Sequence, residues 1–505
     1  MATRIKSLKS TFAFLFVISF LYTWNAQAAE LPAVAKAQLH QIIGKLENAG
    51  AQVGLEIDDL GTVKNPQQFP AQNNGATKVL FSYRATQSYM SASNWKLFTA
   101  FYALDSKVPD NARDTEIVSN AYIDKEGILK DGLYLVGHGD PSLNVGQLQH
   151  AAQQLKAMGL RQLKYDQVGV IYNRVGETFA GRYPFGWTLD DTLWYYAPEL
   201  TTLSMNRNQV DVIIIGGKKQ GDPATVTFSP NFPDLEIQAN VLTGQDVGVP
   251  YDPDTFLMWD RYDKYQKGID LRGQVAPGQK VVQGIALNKP ALMAGKVFAE
   301  QLRKVGLEVR DAVDFMAPGS PKRLLTIPAP PLKVLLTRML KRSDNFYAEM
   351  ILRTSSRFGT AATADEVRGD LFVLLKKNGI NTSGLRMEDG SGLSRYSLIT
   401  PQAMTQLLNA AQKLPHDKAD IFWNALPIAG VDGTLGKRMK STFAQNNVRA
   451  KTGTFNTACN LSGYVTTRDG HRLAVSFLTN FGPETDVCRA AQNRVFESLA
   501  GGTLK

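Results

Sequence analysis

The chain reads as an α+β protein interrupted by a large β-rich insertion. Residues 29–109 run helix, strand, strand, helix, and residues 328–505 run from several helices into three strand-like segments and a closing helix. Between them, from about Asp110, short alternating runs separated by Gly, Pro and Asp turns replace the helical patterning. Helices leading into a terminal antiparallel sheet suit one α+β domain whose first part precedes the insertion. With 505 residues, 44% hydrophobic and 20% charged, the chain has room for roughly two to four domains and a large core.

In order, Arg4, Lys6 and Lys9 precede the apolar run Phe12 to Tyr22, and Ala26-Gln27-Ala28 has the A-x-A form of a cleavage site. The run is shorter than the roughly 20 apolar residues of a spanning helix. Residues 1–28 are therefore expected to be an export signal cut near Ala28, which places the mature chain in the periplasm. No cysteine stands at the cleavage site to take a lipid there. Removing the three basic residues of that segment lowers the formal charge from +10 to +7. A mildly basic exported protein suits an anionic envelope polymer or a peripheral contact with a membrane surface. The absence of a long Lys/Arg run argues against nucleic acid. Cys459 and Cys488 are expected to form one disulfide, with two buried thiols as the alternative. His40, His138, His150, His416 and His471 lack ligand spacing, so neither a metal nor another cofactor is expected.

Ala33 to Leu46 is patterned as a helix stopped by Asn48-Ala49-Gly50. Ala51 to Ile57 alternates as a strand, and Asp58-Asp59-Leu60-Gly61 reads as a turn. A polar stretch from Lys64 to Lys78 intervenes before Val79 to Tyr83 resumes the strand pattern, giving a hairpin with a long loop. In residues 110–327 the strand-like runs include Leu133 to Val136, Val168 to Tyr172, Val210 to Ile215, Ala224 to Phe228 and Val281 to Leu287, with helices at Gly146 to Met158 and Pro290 to Val305. Aromatic clusters at Tyr183 to Tyr196 and Met258 to Tyr265 are read as core, with a polymer-contacting groove as the sharper alternative. The Pro-rich segment Ile327 to Leu332 reads as the re-entry linker. Helices are expected at Leu332 to Leu340, Asn345 to Phe358, Ala364 to Lys377 and Pro401 to Lys413. Strands follow at Asn447 to Thr452, Asn460 to Thr466 and Arg472 to Thr479, and a helix at Asp486 to Leu499.

Three short motifs carry chemistry. Ser93 is the only serine in the chain followed three positions later by lysine, Lys96, and an apolar helical pattern begins at once. One turn puts both on the same face, where a desolvated amine can take the hydroxyl proton without histidine. Ser343-Asp344-Asn345 opens a helix after the linker; S-x-N also occurs at Ser142, Ser204 and Ser229, and position in the helical part selects Ser343. Lys451-Thr452-Gly453 is the one K-[ST]-G, on the strand pattern VRAKTGTF, where a cation and a hydroxyl can hold a carboxylate. Gly453 is read as letting the substrate backbone approach closely. Asp389-Gly390-Ser391-Gly392 reads as a structural turn, Asp432-Gly433-Thr434 as a loop at the site's rim, and His138 as a loop residue.

In this order the trio is the one found in penicillin-binding proteins and β-lactamases. With ASNWK, PLKVLLTRMLKRSDNFYAEM, DGSGLSR, AKTGTFN and GHGDPSL, nearly the whole mature chain resembles the D-alanyl-D-alanine carboxypeptidase/endopeptidase family, the class C low-molecular-mass penicillin-binding proteins. The 250 positions between Ser93 and Ser343 are similar to that family's inserted accessory domains. Lys64 to Lys78 and the bulky Trp95 depart from the pattern, and Trp95 is placed where it could alter substrate fit. The resemblance implies a transpeptidase-type catalytic domain split into residues 29–109 and 328–505. It implies a serine DD-peptidase acting on peptidoglycan stem peptides ending in D-Ala-D-Ala and acylated by β-lactam antibiotics. Ser93 would be the nucleophile, Lys96 its base, Ser343 a proton relay, Asn345 a holder of substrate amide or Lys96, and Lys451 a source of positive potential. Thr452 would bind the terminal carboxylate, and the Ser93 and Thr454 N–H groups would form the oxyanion hole. A β-lactamase or esterase could use the same dyad, and an idle site would leave a wall-binding protein.

Overall fold

The computed structural model describes residues 30–71, 77–171, 183–232, 235–244, 257–262, 268–315, 321–357 and 363–503. The expected export signal therefore lies outside the described residues, as do parts of the two aromatic clusters. Among the described residues no helix is long and apolar enough to cross a membrane.

Alternation in the C-terminal strands creates a sheet with two buried faces. Its order is Arg449–Phe455, Ala458–Thr466, His471–Asn480, Gln52–Thr62, Lys78–Tyr83, antiparallel throughout. Leu473, Val475 and Phe477 point to one face, where they share a core with Leu39, Ile43 and Leu46 of helix Ala33–Asn48 and with Val495 and Phe496 of helix Thr485–Gly501. Ala474 and Leu478 point to the other, into a core with helix Lys96–Asp105. This is the two-residue period of a strand buried on both sides.

Helix Lys96–Asp105 is apolar nearly all round, and residues 96–104 are all buried, as such a pattern requires. Helices Leu332–Arg342, Asn345–Thr354, Pro401–Ala411 and His416–Ala425 surround it. Phe98 and Phe101 are fully buried, each stabilising by about 1.5–3 kcal/mol relative to exposure. The turn that carries Ser93 thus leads into a helix buried on all sides.

Residues between Ile117 and Ile327 build a separate core. Its five-stranded mixed sheet runs Asp311–Asp314, Gln167–Ile171, Leu133–Val136, Thr115–Ser119, Lys322–Ile327. Helices Val145–Ala157 and Pro290–Lys304 pack together on it, and the described residues of this part also form two three-stranded sheets and a two-stranded one. Its root is pinned by side chains: Arg113 Nε donates to Thr354 Oγ1 at 2.8 Å, and Asp110 Oδ1 accepts from the Leu332 N–H at 2.9 Å.

Several expectations change. Asp58-Asp59-Leu60-Gly61 is no turn but the continuation of strand Gln52–Thr62 past a bulge. The strand continues because Asp59 Oδ2 meets His471 Nδ1 at 2.9 Å and Asp58 lies buried opposite Ala474. Cys459 and Cys488 are free buried thiols rather than a disulfide; Cys488 Sγ donates to the Pro483 carbonyl, and Cys459 Sγ accepts from Gln492 Nε2. Helix His416–Ala425 was not expected; its sequence HDKADIFWNA buries only four residues, among them Phe422 and Trp423. Trp95 is fully buried and stacks on Phe98 at 5.0 Å, so it fills the core and does not face substrate.

Candidate active site

Three segments converge where the edge strand Arg449–Phe455 meets the start of the buried helix. Ser93 lies in a single 3-10 turn, Ala92–Trp95, that leads directly into helix Lys96–Asp105. Lys96 Nζ lies 2.9 Å from Ser93 Oγ, 2.7 Å from Asn345 Oδ1 and 2.7 Å from the Ser391 carbonyl oxygen. Burial lowers the Lys96 ammonium to about 8, opposed by the carboxylates of Asp389, Glu349 and Asp344. A neutral amine has two N–H groups and one lone pair. Asn345 Oδ1 and the Ser391 carbonyl take the two protons, and the lone pair then faces the Ser93 hydroxyl.

Facing this dyad is a second one. Lys451 Nζ donates to Ser343 Oγ at 2.8 Å and to the Thr452 carbonyl at 2.7 Å. Burial first, and then the nearby Lys96, hold Lys451 well below the usual lysine range. Ser343 ends helix Leu332–Arg342 in the left-handed region, φ +56°, and Asp344 caps the next helix by accepting from the Tyr347 N–H. The abrupt change of direction aims Ser343 and Asn345 at the two lysines.

The edge strand is locked to the turn that carries Ser93. Asn94 Nδ2 donates to the Lys451 carbonyl at 3.1 Å, and Asn460 Nδ2 donates to the carbonyls of Met90 and Ser91 at 2.8 and 2.9 Å. A Cβ on Gly453 would stand 2.8 Å from Asn94 Nδ2 and 3.0 Å from the Ser91 oxygen. Gly453 therefore makes room for the turn that carries Ser93. The Ala450 N–H points out of the sheet to the Pro427 carbonyl. Alternation turns the Thr452 and Thr454 N–H groups to the same open edge.

A supporting shell joins the turn at Asp389–Gly392 to Glu349, Arg353 and Tyr196, which no motif marks. The loop Asp389–Gly392 carries the Ser391 carbonyl that holds Lys96, and Glu349 Oε1 fixes it by accepting from the N–H groups of Gly390 and Ser391 at 2.9 and 2.7 Å. Arg353 pairs with Glu349 in the interior, where burial raises the glutamate's carboxyl. Asn345 Nδ2 donates to the Tyr196 carbonyl at 2.9 Å, so the insertion reaches the site. Among the described residues no group of three His, Cys, Asp or Glu could hold a metal. His138 Nε2 lies 3.3 Å from Glu116 Oε2.

Residues 55–500 match the D-Ala-D-Ala carboxypeptidase 3 (S13) family. The chain belongs to this family. It is a serine-type carboxypeptidase with a penicillin-binding-protein fold. The D-alanyl-D-alanine carboxypeptidase of Actinomadura sp. (strain R39) is 30% identical over 420 residues, 79% of this chain and 75% of that protein. D-alanyl-D-alanine carboxypeptidase DacB of Haemophilus influenzae is 28% identical over 439 residues, 85% of this chain and 88% of that one. The crystal structure of penicillin binding protein 4 (dacB) from Haemophilus influenzae aligns with a TM-score of 0.77 at 23% identity, covering 92% of this chain and 99% of that one. A second structure of that protein, complexed with a β-lactam, aligns with a TM-score of 0.72 at 22% identity. These alignments establish the S13 fold across both the sheet-and-helix part and the insertion.

Proposed function

We propose that this S13 member is an exported, periplasmic DD-peptidase that removes or cleaves at D-Ala in peptidoglycan stem peptides through an acyl-enzyme on Ser93. The observation that carries the reading is the buried Lys96 amine 2.9 Å from Ser93 Oγ, its other two contacts being acceptors. Ser93 Oγ attacks the carbonyl of the penultimate D-Ala while its proton passes to Lys96. The tetrahedral oxyanion is met by the N–H groups of Ser93 and Thr454; loss of one such donor typically costs about 3–4 kcal/mol in the barrier. As the C–N bond breaks, Ser343 relays a proton to the leaving amine, and Lys451 keeps the Ser343 hydroxyl oriented. The Thr452 hydroxyl holds the terminal carboxylate, whose negative charge favours the charged form of Lys451 that burial otherwise disfavours, and Asn345 keeps Lys96 in place. Water then releases the acyl group by the reverse sequence. A β-lactam presents a similar carbonyl and carboxylate, so it would acylate Ser93 too.

The test is intact mass after incubation with a labelled penicillin, followed by D-Ala release from a stem pentapeptide. The expected result is one covalent adduct and D-Ala release for wild type, and neither for Ser93→Ala. A Ser93→Ala protein that still releases D-Ala refutes the mechanism. Fast loss of the adduct would mark a β-lactamase, and polymer retention without any adduct an idle wall-binding protein.

A further inference from the structure

The segment after helix His416–Ala425 does more than border the cleft. It runs alongside the edge strand: the Ala429 N–H donates to the Val448 carbonyl, Ile428 bridges Arg449, and the Ala450 N–H donates to Pro427. The edge is thereby occupied up to Ala450 and opens at Lys451. The chain then turns at Gly433, φ +58°, and brings Thr434 over the first open residues. There Thr452 Oγ1 donates to Thr434 Oγ1 at 2.9 Å. Thr434 is exposed, while the next residue, Leu435, is buried and anchors the turn.

The turn is held by an ion pair from the motif helix. Lys341 Nζ lies 2.8 and 2.6 Å from the two oxygens of Asp432 and donates to the Leu426 carbonyl at 2.6 Å. Asp432 Oδ1 also accepts from the Ile428 N–H at 2.9 Å. A Cβ on Gly433 would stand 2.9 Å from the Lys341 carbonyl oxygen, so the loop is pressed directly against the helix end that carries Ser343.

We propose that Thr434 is a second donor to the substrate's terminal carboxylate, acting beside Thr452, and that Lys341 and Asp432 are positioning residues that set its place. The inference rests on the peptidase reading above and extends it. Among the described residues the Thr434 hydroxyl accepts from Thr452 but has no acceptor for its own proton. A carboxylate has two oxygens that accept and none that donate. On binding, Thr452 turns its proton from Thr434 to one oxygen, and Thr434 gives its proton to the other. The two hydroxyls become a matched pair under the positive potential of Lys451. No bond is made or broken; only the hydrogen-bond partners change.

Two peptides ending in D-Ala-D-Ala provide the test, one with a free C-terminal carboxylate and one with a carboxamide in its place. The ratio of their kcat/KM values is measured for wild type, Thr434→Val, Thr434→Ser and Lys341→Met. Wild type prefers the acid. Thr434→Val lowers that preference roughly tenfold or more, the worth of one hydrogen bond to a charged group. Thr434→Ser retains it, which separates a lost donor from a lost fold. Lys341→Met lowers the preference mainly by raising KM for the acid. A Thr434→Val protein with an unchanged ratio overturns the assignment, whatever its absolute rate. A wild type that hydrolyses neither peptide overturns the peptidase reading, and the hydroxyl pair falls with it.

Discussion

Burial of Lys96 should be visible as a pH profile of acylation. The ammonium is lowered to about 8 because the helix and the Asp389–Gly392 loop exclude water from it. At that value about one-tenth of the amine is neutral at pH 7. A lysine in the ordinary range would be neutral in roughly one molecule in three thousand, so burial supplies a factor of about 300, or roughly 3 kcal/mol. If the neutral form is the base, the second-order rate constant for acylation by a penicillin should rise about ninefold from pH 6 to 7. It should rise about fivefold from pH 7 to 8 and less than twofold from pH 8 to 9. Rapid-quench mass spectrometry of the adduct gives the rate without a later hydrolysis step. A flat profile from pH 6 to 9, or a rise that continues steeply to pH 10, would refute the assignment of Lys96 as a desolvated base.

The remaining predictions concern the frame around the dyads. Burial raises Glu56 to about 7 and Asp58 to about 6, and one oxygen of each has no hydrogen-bond partner. The folded protein therefore binds more protons there than the unfolded chain, and their contribution to stability is lost as pH rises from about 4.5 through 7. A Glu56→Gln/Asp58→Asn variant should melt higher than wild type at pH 8 and lose that advantage at pH 4.5, by thermal melts at both. Gly453→Ala should slow penicillin acylation at least tenfold by pushing the nucleophile turn off the edge strand; an unimpaired rate would mean that the turn can give way. Gly392→Ala should lower stability by more than about 2 kcal/mol in urea unfolding. Its φ is +72° and the new methyl would overlap the Ala92 carbonyl oxygen.

Much of this architecture was legible because its signals are local. Ser93 and Lys96 lie one turn apart, and the periodicity that buries helix Lys96–Asp105 is written in KLFTAFYALD. The helices Ala364–Lys377 and Pro290–Lys304 begin where their patterns begin. Ser343 was separable from three other S-x-N sites only by its surroundings. What stayed illegible depends on partners far away in the chain. The carbonyl of Ser391 reaches Lys96 across 295 positions and that of Tyr196 reaches Asn345 across 149; a backbone oxygen has no letter of its own. Asp58 and Asp59 look like a turn because acids are rarely buried, and only the neighbouring strand with His471 keeps them extended. Gly453 suggests room for substrate backbone, but what packs against it is the protein's own Ser91 and Asn94.

The lock between Asn94 and the Lys451 carbonyl spans 357 positions, and that distance orders events in time. A chain emerging from its N-terminus carries Ser93 early, yet nothing holds the nucleophile turn until Ser391, Lys451 and Asn460 have followed. Helix Lys96–Asp105 likewise has no surrounding helices, so its lysine remains hydrated, charged and unable to accept a proton. On the proposed mechanism Ser93 is therefore latent through most of the chain's synthesis and gains its neutral amine partner only when the last strands close.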